Sequence, residues 1–230
     1  MAPYGGARAL VPGARAPYTR GMTAPAIDHL VYATPDLDAT IDALERQLGV
    51  RPSTGGRHPG LGTRNALLAL GPRVYLEVVG PDPEQPAPDG PRWFGIDALS
   101  APRLATWCAS ARDLATLQAR ASAAGVPLGA VRDGGRVRPD GVALAWQVTS
   151  PFTVLEHGLV PFFIDWLDSP HPADSAAPGV TLVELVAEHP VPESLRTPYA
   201  TLGLEVAVRA AGSPALVATL DGPRGRVTLR

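Results

Sequence analysis

A histidine and two carboxylates carry most of the chemistry this sequence could do. His29 lies on a predicted strand, residues 27–33, and Glu77 on another, residues 74–79. These are the first and last strands of one predicted β-α-β-β-β unit, so the two side chains can meet on one face. A histidine–carboxylate pair can hold a divalent metal, or hydrogen bond to itself in a cup that only binds a ligand. Asp165 sits in PFFIDW, residues 161–166, between apolar neighbours on a strand that should be largely buried. A buried carboxylate without a partner is costly, so Asp165 requires a metal, His29 or an arginine such as Arg64. Without a metal, a raised pKa would make Asp165 or Glu77 a general base.

Between the two strands runs GGRHPGLGTRN, residues 55–65, read as a loop because Gly and Pro punctuate it. His58, Arg64 and Asn65 in it can orient an anionic or carbonyl substrate, with Arg57 beside them, and His58 is a candidate second imidazole. The competing reading is a tight connection whose glycines answer turn geometry alone. Cys108 reads as a buried, inert thiol. His157, His171 and His189 read as solvated loop residues. Trp146, Trp166, Phe162 and Phe163 read as core, with one or two lining an apolar pocket.

Local pattern places these residues. Residues 27–33 alternate, with Ile27, His29 and Val31 on one face and Asp28, Leu30 and Tyr32 on the other. Thr34-Pro35 opens a helix whose Leu37, Ile41, Leu44 and Leu48 face the sheet, and Gly49 closes it. Strands follow at 50–54, 66–70 and 74–79, then a Pro-rich linker at 81–91. A second unit has a strand at 104–110, a helix through Leu114, Leu117 and Ala121, and strands at 142–148, 153–157 and 161–166. Aligning PFFIDW with VYLEVV sets Asp165 opposite Glu77 and Thr106 opposite His29. A weaker third copy has a strand at 180–187, a helix at 192–200 and strands at 204–209, 215–220 and 226–229. Repeated units of this kind pack side by side.

Composition narrows the function classes. The 230 residues suit one large domain or two small ones, and 45% are hydrophobic, enough for a core. A net charge of −2 without charge blocks argues against nucleic-acid and membrane-surface partners. All 20 basic residues are Arg, which removes Schiff-base and P-loop lysine chemistry. One cysteine excludes an intramolecular disulfide and a cysteine zinc cluster, and fits a reducing cytoplasm. No apolar run reaches the roughly 18 residues of a membrane span. Residues 1–24 read as a disordered tail, with Met22 an alternative start to Met1.

The residues Ile27-Asp28-His29-Leu30-Val31, Asp36-Leu37-Asp38, HPGLGTRN at 58–65, Tyr75-Leu76-Glu77 and PFFIDW together resemble the vicinal oxygen chelate superfamily, in its glyoxalase-like branch. The resemblance covers about residues 25–172. It implies an α+β fold of tandem βαβββ modules, about 26–80 and 99–168, forming a cup-shaped mixed sheet, with residues 179–230 as the third module. Members of the superfamily place metal ligands on the first and last strands of each module, facing into the cup. This implies His29, Glu77 and Asp165 as ligands of Mn²⁺, Fe²⁺, Zn²⁺ or Ni²⁺, or no metal at all, with the fourth position falling on Thr106, a poor ligand. Glu77 and Asp165 would be catalytic, and His58, Arg64 and Asn65 would bind substrate. The implied function is a metal-dependent lyase or isomerase acting on a small carbonyl or vicinal-oxygen compound. The alternative is a non-catalytic drug- or metabolite-binding protein of the same fold. The expected partner is a small molecule, and the chain a cytoplasmic monomer or homodimer.

Overall fold

The computed structural model describes residues 24–138 and 141–230, so the expected tail lies outside it except for Ala24. The first module comprises β1 (Ala26–Ala33), α1 (Leu37–Leu48), β2 (Ser53–His58), β3 (Thr63–Gly71) and β4 (Val74–Pro81). The second comprises β5 (Arg103–Ser110), α2 (Leu114–Ala123), β6 (Arg132–Val137), β7 (Ala143–Val148) and β8 (Phe162–Asp165). Together they form one curved mixed sheet in the order β2-β3-β4-β1-β5-β8-β7-β6. β1 runs parallel to β4 and β5 parallel to β8, while β1 and β5 join the modules antiparallel.

Helix α1 forms for the reasons its sequence gives. The Asp36 carboxylate accepts the Ala39 N–H at 3.0 Å and caps the first turn, so the cap is Asp36 and Thr34-Pro35 is the turn before it. Gly49, at φ 82°, ends the helix in the left-handed conformation. Leu37, Ile41, Leu44 and Leu48 bury against Leu30, Leu68 and Leu76 of the sheet. The opposite face of the sheet carries Val31, Val79, Cys108, Phe162, Ile164 and Trp166 and forms the cup.

Several expectations change. Residues 55–65 are not an open loop: β2 and β3 pair antiparallel, with Arg57 opposite Arg64 and His58 opposite Thr63. The Pro-rich stretch is not a free linker either. It folds back on that hairpin, where Gln85 donates to the Thr63 carbonyl (3.0 Å) and to the buried Asp82 (2.8 Å), and Arg92 donates to the Gly62 carbonyl (3.0 Å). Residues 153–157 form no strand, because Glu156 and His157 take positive φ values of 46° and 60° in a tight turn. β6 was not expected at all.

The third unit has β9 (Thr181–His189), α3 (Arg196–Leu202), β10 (Ala207–Ala210), β11 (Ala215–Gly222) and β12 (Gly225–Leu229). Its element order repeats the modules but its strand order, β10-β9-β11-β12, does not. The crossover through α3 sets β10 directly beside β9 in parallel, so β11 must pair on the other side of β9. Leu185, Ala187, Leu216, Ala218 and Leu220 share one apolar core with α1, α2 and the helix side of the large sheet. Among the described residues no helix is long and apolar enough to cross a membrane.

Candidate functional site

The cup has one polar wall, and His29 and Glu77 are on it. His29 Nε2 lies 3.8 Å from Glu77 Oε2. β4 supplies Glu77 and also Tyr75, whose ring stacks on His29 at 4.7 Å between centroids. β3 supplies Asn65. Its Nδ2 donates to Glu77 Oε1 at 2.5 Å, and its Oδ1 accepts the Gly56 N–H at 2.6 Å, which fixes the amide orientation. Asn65 Nδ2 also lies 3.3 Å from His58 Nε2, while His58 Nδ1 lies 3.0 Å from Thr63 Oγ1. Burial lowers the His58 pKa, against the pull of Glu77 and with a further push from Arg136. The neutral ring then accepts from Asn65 at Nε2 and donates to Thr63 at Nδ1.

Behind His29 stands a residue that strand alternation had put on the other face. Asp28 has no partner between the pairs Ile27–Ala109 and His29–Cys108, so it is the extra residue of a β-bulge. A bulge re-aims its side chain, and Asp28 Oδ1 lies 2.7 Å from His29 Nδ1. Ile27 correspondingly packs on the helix side. Asp28 also meets His171 Nε2 at 3.1 Å and Trp166 Nε1 at 3.1 Å. His171 Nδ1 accepts the Ala173 N–H, so its proton is on Nε2 and points at Asp28. Burial alone would raise the Asp28 pKa, but the bonds and charges of His171 and His29 outweigh it and lower the value to about 2. His171 is thus not a solvated loop residue; it is 1% exposed.

With Nδ1–H given to the ionised Asp28, His29 presents Nε2 to the cup. The cavity there is about 130 Å³, close to the roughly 150 Å³ that takes a benzene-sized molecule. Phe162, Ile164, Trp146 and Trp166 of the second module form its far wall, with Trp93 and Phe94 from the stretch between the modules also lining it. Trp93 Nε1 donates to Thr63 Oγ1 at 3.1 Å, tying that stretch to the hairpin.

Two expected site residues are not in the cup. Asp165 faces the other side of β8, where it accepts the Leu167 N–H at 2.9 Å and pairs with Arg112 at 3.2 Å. The repeat explains the error. β1 sets His29 opposite Tyr75 of β4, and β5 sets Cys108 opposite Phe162 of β8. Cys108 therefore matches His29 and Ile164 matches Glu77; Asp165 is one residue on, and one residue flips the face. Thr106 stands opposite Val31, not His29, and donates to the Gly158 carbonyl at 3.0 Å. Arg64 also points away, because β3 turns Thr63, Asn65 and Leu67 inward and Arg64 toward α1, where it pairs with Asp38 at 2.7 Å.

The expected trio of His29, Glu77 and Asp165 is therefore not assembled. Asp28, His29 and Cys108 do bring one ligand atom each within 4.8 Å of one another, a candidate site for a divalent cation. Carboxylate, imidazole and sulfur donors suit Zn²⁺, Fe²⁺ or Ni²⁺ better than Mg²⁺. Burial raises the Cys108 thiol pKa, and the charges of Asp28 and Glu77 raise it further, so cation binding there would release a proton.

A family model described as a glyoxalase-like domain matches residues 27–203. The chain belongs to the glyoxalase-like domain family, within the vicinal oxygen chelate superfamily. Among curated protein sequences none matches it. A hypothetical protein from Staphylococcus aureus has a similar structure, with a TM-score of 0.58 and 13% identity over 88% of this chain and 83% of that one. A methylmalonyl-CoA epimerase from Mycobacterium tuberculosis aligns at a TM-score of 0.38 and 20% identity, over 60% of this chain and 84% of that one. A hypothetical protein from Bacillus halodurans C-125 aligns at 0.43 and 13%, over 64% and 99%. At 13% identity the likeness to the Staphylococcus aureus protein is one of fold, and what this glyoxalase-like cup does must be argued from its own side chains.

The sequence held a signal for the residues it did not single out. Gly55-Gly56 and Gly134-Gly135 are separated by the same interval as His29 and Cys108. Each first glycine lies under a cup-lining side chain: a Cβ on Gly55 would overlap Asn65, and one on Gly134 would overlap Trp146. That repeat marks β6, and with it Arg136, which borders the cup.

Proposed function

We propose that this chain is a metal-dependent isomerase or lyase of glyoxalase type that moves a proton beside the carbonyl group of a small substrate. The observation that carries this reading is the 3.8 Å approach of His29 Nε2 to Glu77 Oε2 on the polar wall of an otherwise apolar cavity. Asn65 engages Oε1 and leaves Oε2 open as the base. Glu77 takes a proton from the carbon next to the carbonyl, and the electron pair moves into the carbonyl to give an enolate. Glu77 then delivers the proton to a neighbouring atom, beside the imidazole that Asp28 fixes, which completes an isomerisation. If the next carbon bears a leaving group, the same abstraction ends in elimination. A divalent cation held by Asp28, His29 and Cys108 would supply Lewis-acid polarisation of the carbonyl oxygen. Phe162, Ile164 and Trp166 keep bulk water from the enolate.

The test is solvent exchange. Protein loaded in turn with Zn²⁺, Fe²⁺, Mn²⁺ or Ni²⁺ is incubated in D₂O with a panel of small ketones, aldehydes and 2-oxo acids, and proton NMR follows deuterium entering beside the carbonyl. Exchange of at least one compound supports the proposal. A second reading, a binding protein without chemistry, is favoured by the aromatic far wall built from Trp146, Phe162 and Trp166. Saturable binding with no exchange under any metal would decide for it.

A further inference from the structure

One side chain is common to three hollows. Arg136 of β6 borders the cup, a hollow of about 250 Å³ beside Ser53 and Ser175, and an outer groove of about 860 Å³ between β2 and β6. Its guanidinium crosses to the opposite end strand of the sheet, where a Cβ on Gly56 would overlap Nη1. The neighbouring arginines of the groove are engaged: Arg51 with Asp42 and Glu45, Arg57 with Asp82 and Glu84, Arg64 with Asp38. Arg136 pairs with no carboxylate among the described residues; Glu77, which lines the same cup, is hydrogen bonded through Oε1 to Asn65. A planar cation thus stands where the cup meets the two neighbouring hollows, carried on β6 and without an ion-pair partner among the described residues. An anion entering a cup that already holds Asp28 and Glu77 needs such a charge to offset repulsion.

We infer that Arg136 is the anion-binding residue of this site: the substrate carries a carboxylate or phosphate that pairs with this guanidinium. Its carbonyl end then lies against His29 and Glu77, a placement that rests on the proton-transfer reading, whereas the anion site itself does not.

Trp93, Trp146 and Trp166 line the cup, so tryptophan fluorescence reports its occupancy. The probes are acetate, 2-oxobutyrate and inorganic phosphate, with acetamide and methyl 2-oxobutyrate as neutral counterparts. The parent is expected to bind at least one anion about tenfold or more tightly than the neutral compounds, the scale of a charged hydrogen bond. Arg136→Met should abolish that preference and Arg136→Lys should retain part of it. No anion preference in the parent, or the same preference in the parent and Arg136→Met, overturns the inference. Deuterium exchange on the same samples separates the two claims. An Arg136-dependent anion preference without exchange leaves the anion site standing and removes the proton-transfer reading. Exchange that is indifferent to Arg136 and to substrate charge does the reverse.

Discussion

Asp28 shows how far a single residue shapes the site. Its carboxylate receives three buried donors, from His29, His171 and Trp166. Asp28→Asn leaves those donors competing for one amide oxygen, and a loss of about 3 kcal/mol in urea denaturation is expected for breaking a buried charged network. The pH dependence has a definite sign. The Asp28 pKa falls from 3.8 to about 2 on folding, so its contribution is complete above pH 4 and is lost as pH falls toward 2. That contribution is about 2 kcal/mol, and stability curves of the parent should steepen between about pH 4 and 2 while those of Asp28→Asn stay flatter. His29, His58, Asn65 and Glu77 were legible in the sequence as polar residues on or beside inward-facing strands. Asp28 was not, because strict alternation assigned it to the opposite face and nothing in the residue types announces a bulge.

At the scale of elements, register decides which side chains reach the cup. Matching β8 to β4 one residue out of register faces Asp165 inward and Ile164 outward, the reverse of what hydrogen bonding enforces. The helices carried stronger signals: Gly49 is demanded by cap geometry and α1 appears where its spacing requires, although its N-cap is Asp36 and not Thr34. β6 lacks an apolar stripe, and so no element is expected there from its glycines. They are close-approach positions. Gly134→Ala places a methyl group against the Trp146 ring that lines the cup, and the extra volume in a packed layer should cost about 1–3 kcal/mol. Thermal denaturation of that variant should show a lowered midpoint, together with a changed tryptophan emission spectrum. An unchanged midpoint and spectrum would mean that Trp146 is not held across the strand.

In the whole molecule, the third unit is structural support for the sheet that bears the site. Leu195 and Leu202 are fully buried in the shared core, and Tyr199 donates to the Leu159 carbonyl at 3.0 Å across to the second module. Removing residues 179–230 would expose the helix side of the eight-stranded sheet. The shortened chain is expected to lose cooperative thermal unfolding and to bind a hydrophobic dye; parent-like cooperativity would show that the paired modules stand alone. The repeat made this unit visible in the sequence as elements, but not its strand order, because crossover pairing is fixed by packing that element types do not encode.

The site depends on the His29–Glu77 pair more than on any other contact. The most direct measurement is the rate of deuterium incorporation into the best-exchanging carbonyl compound, compared among the parent, His29→Ala and Glu77→Gln with native circular dichroism confirmed for each. The account predicts a loss of about a hundredfold or more in both variants, the scale of general acid–base catalysis. Exchange at the parent rate in either folded variant would contradict it.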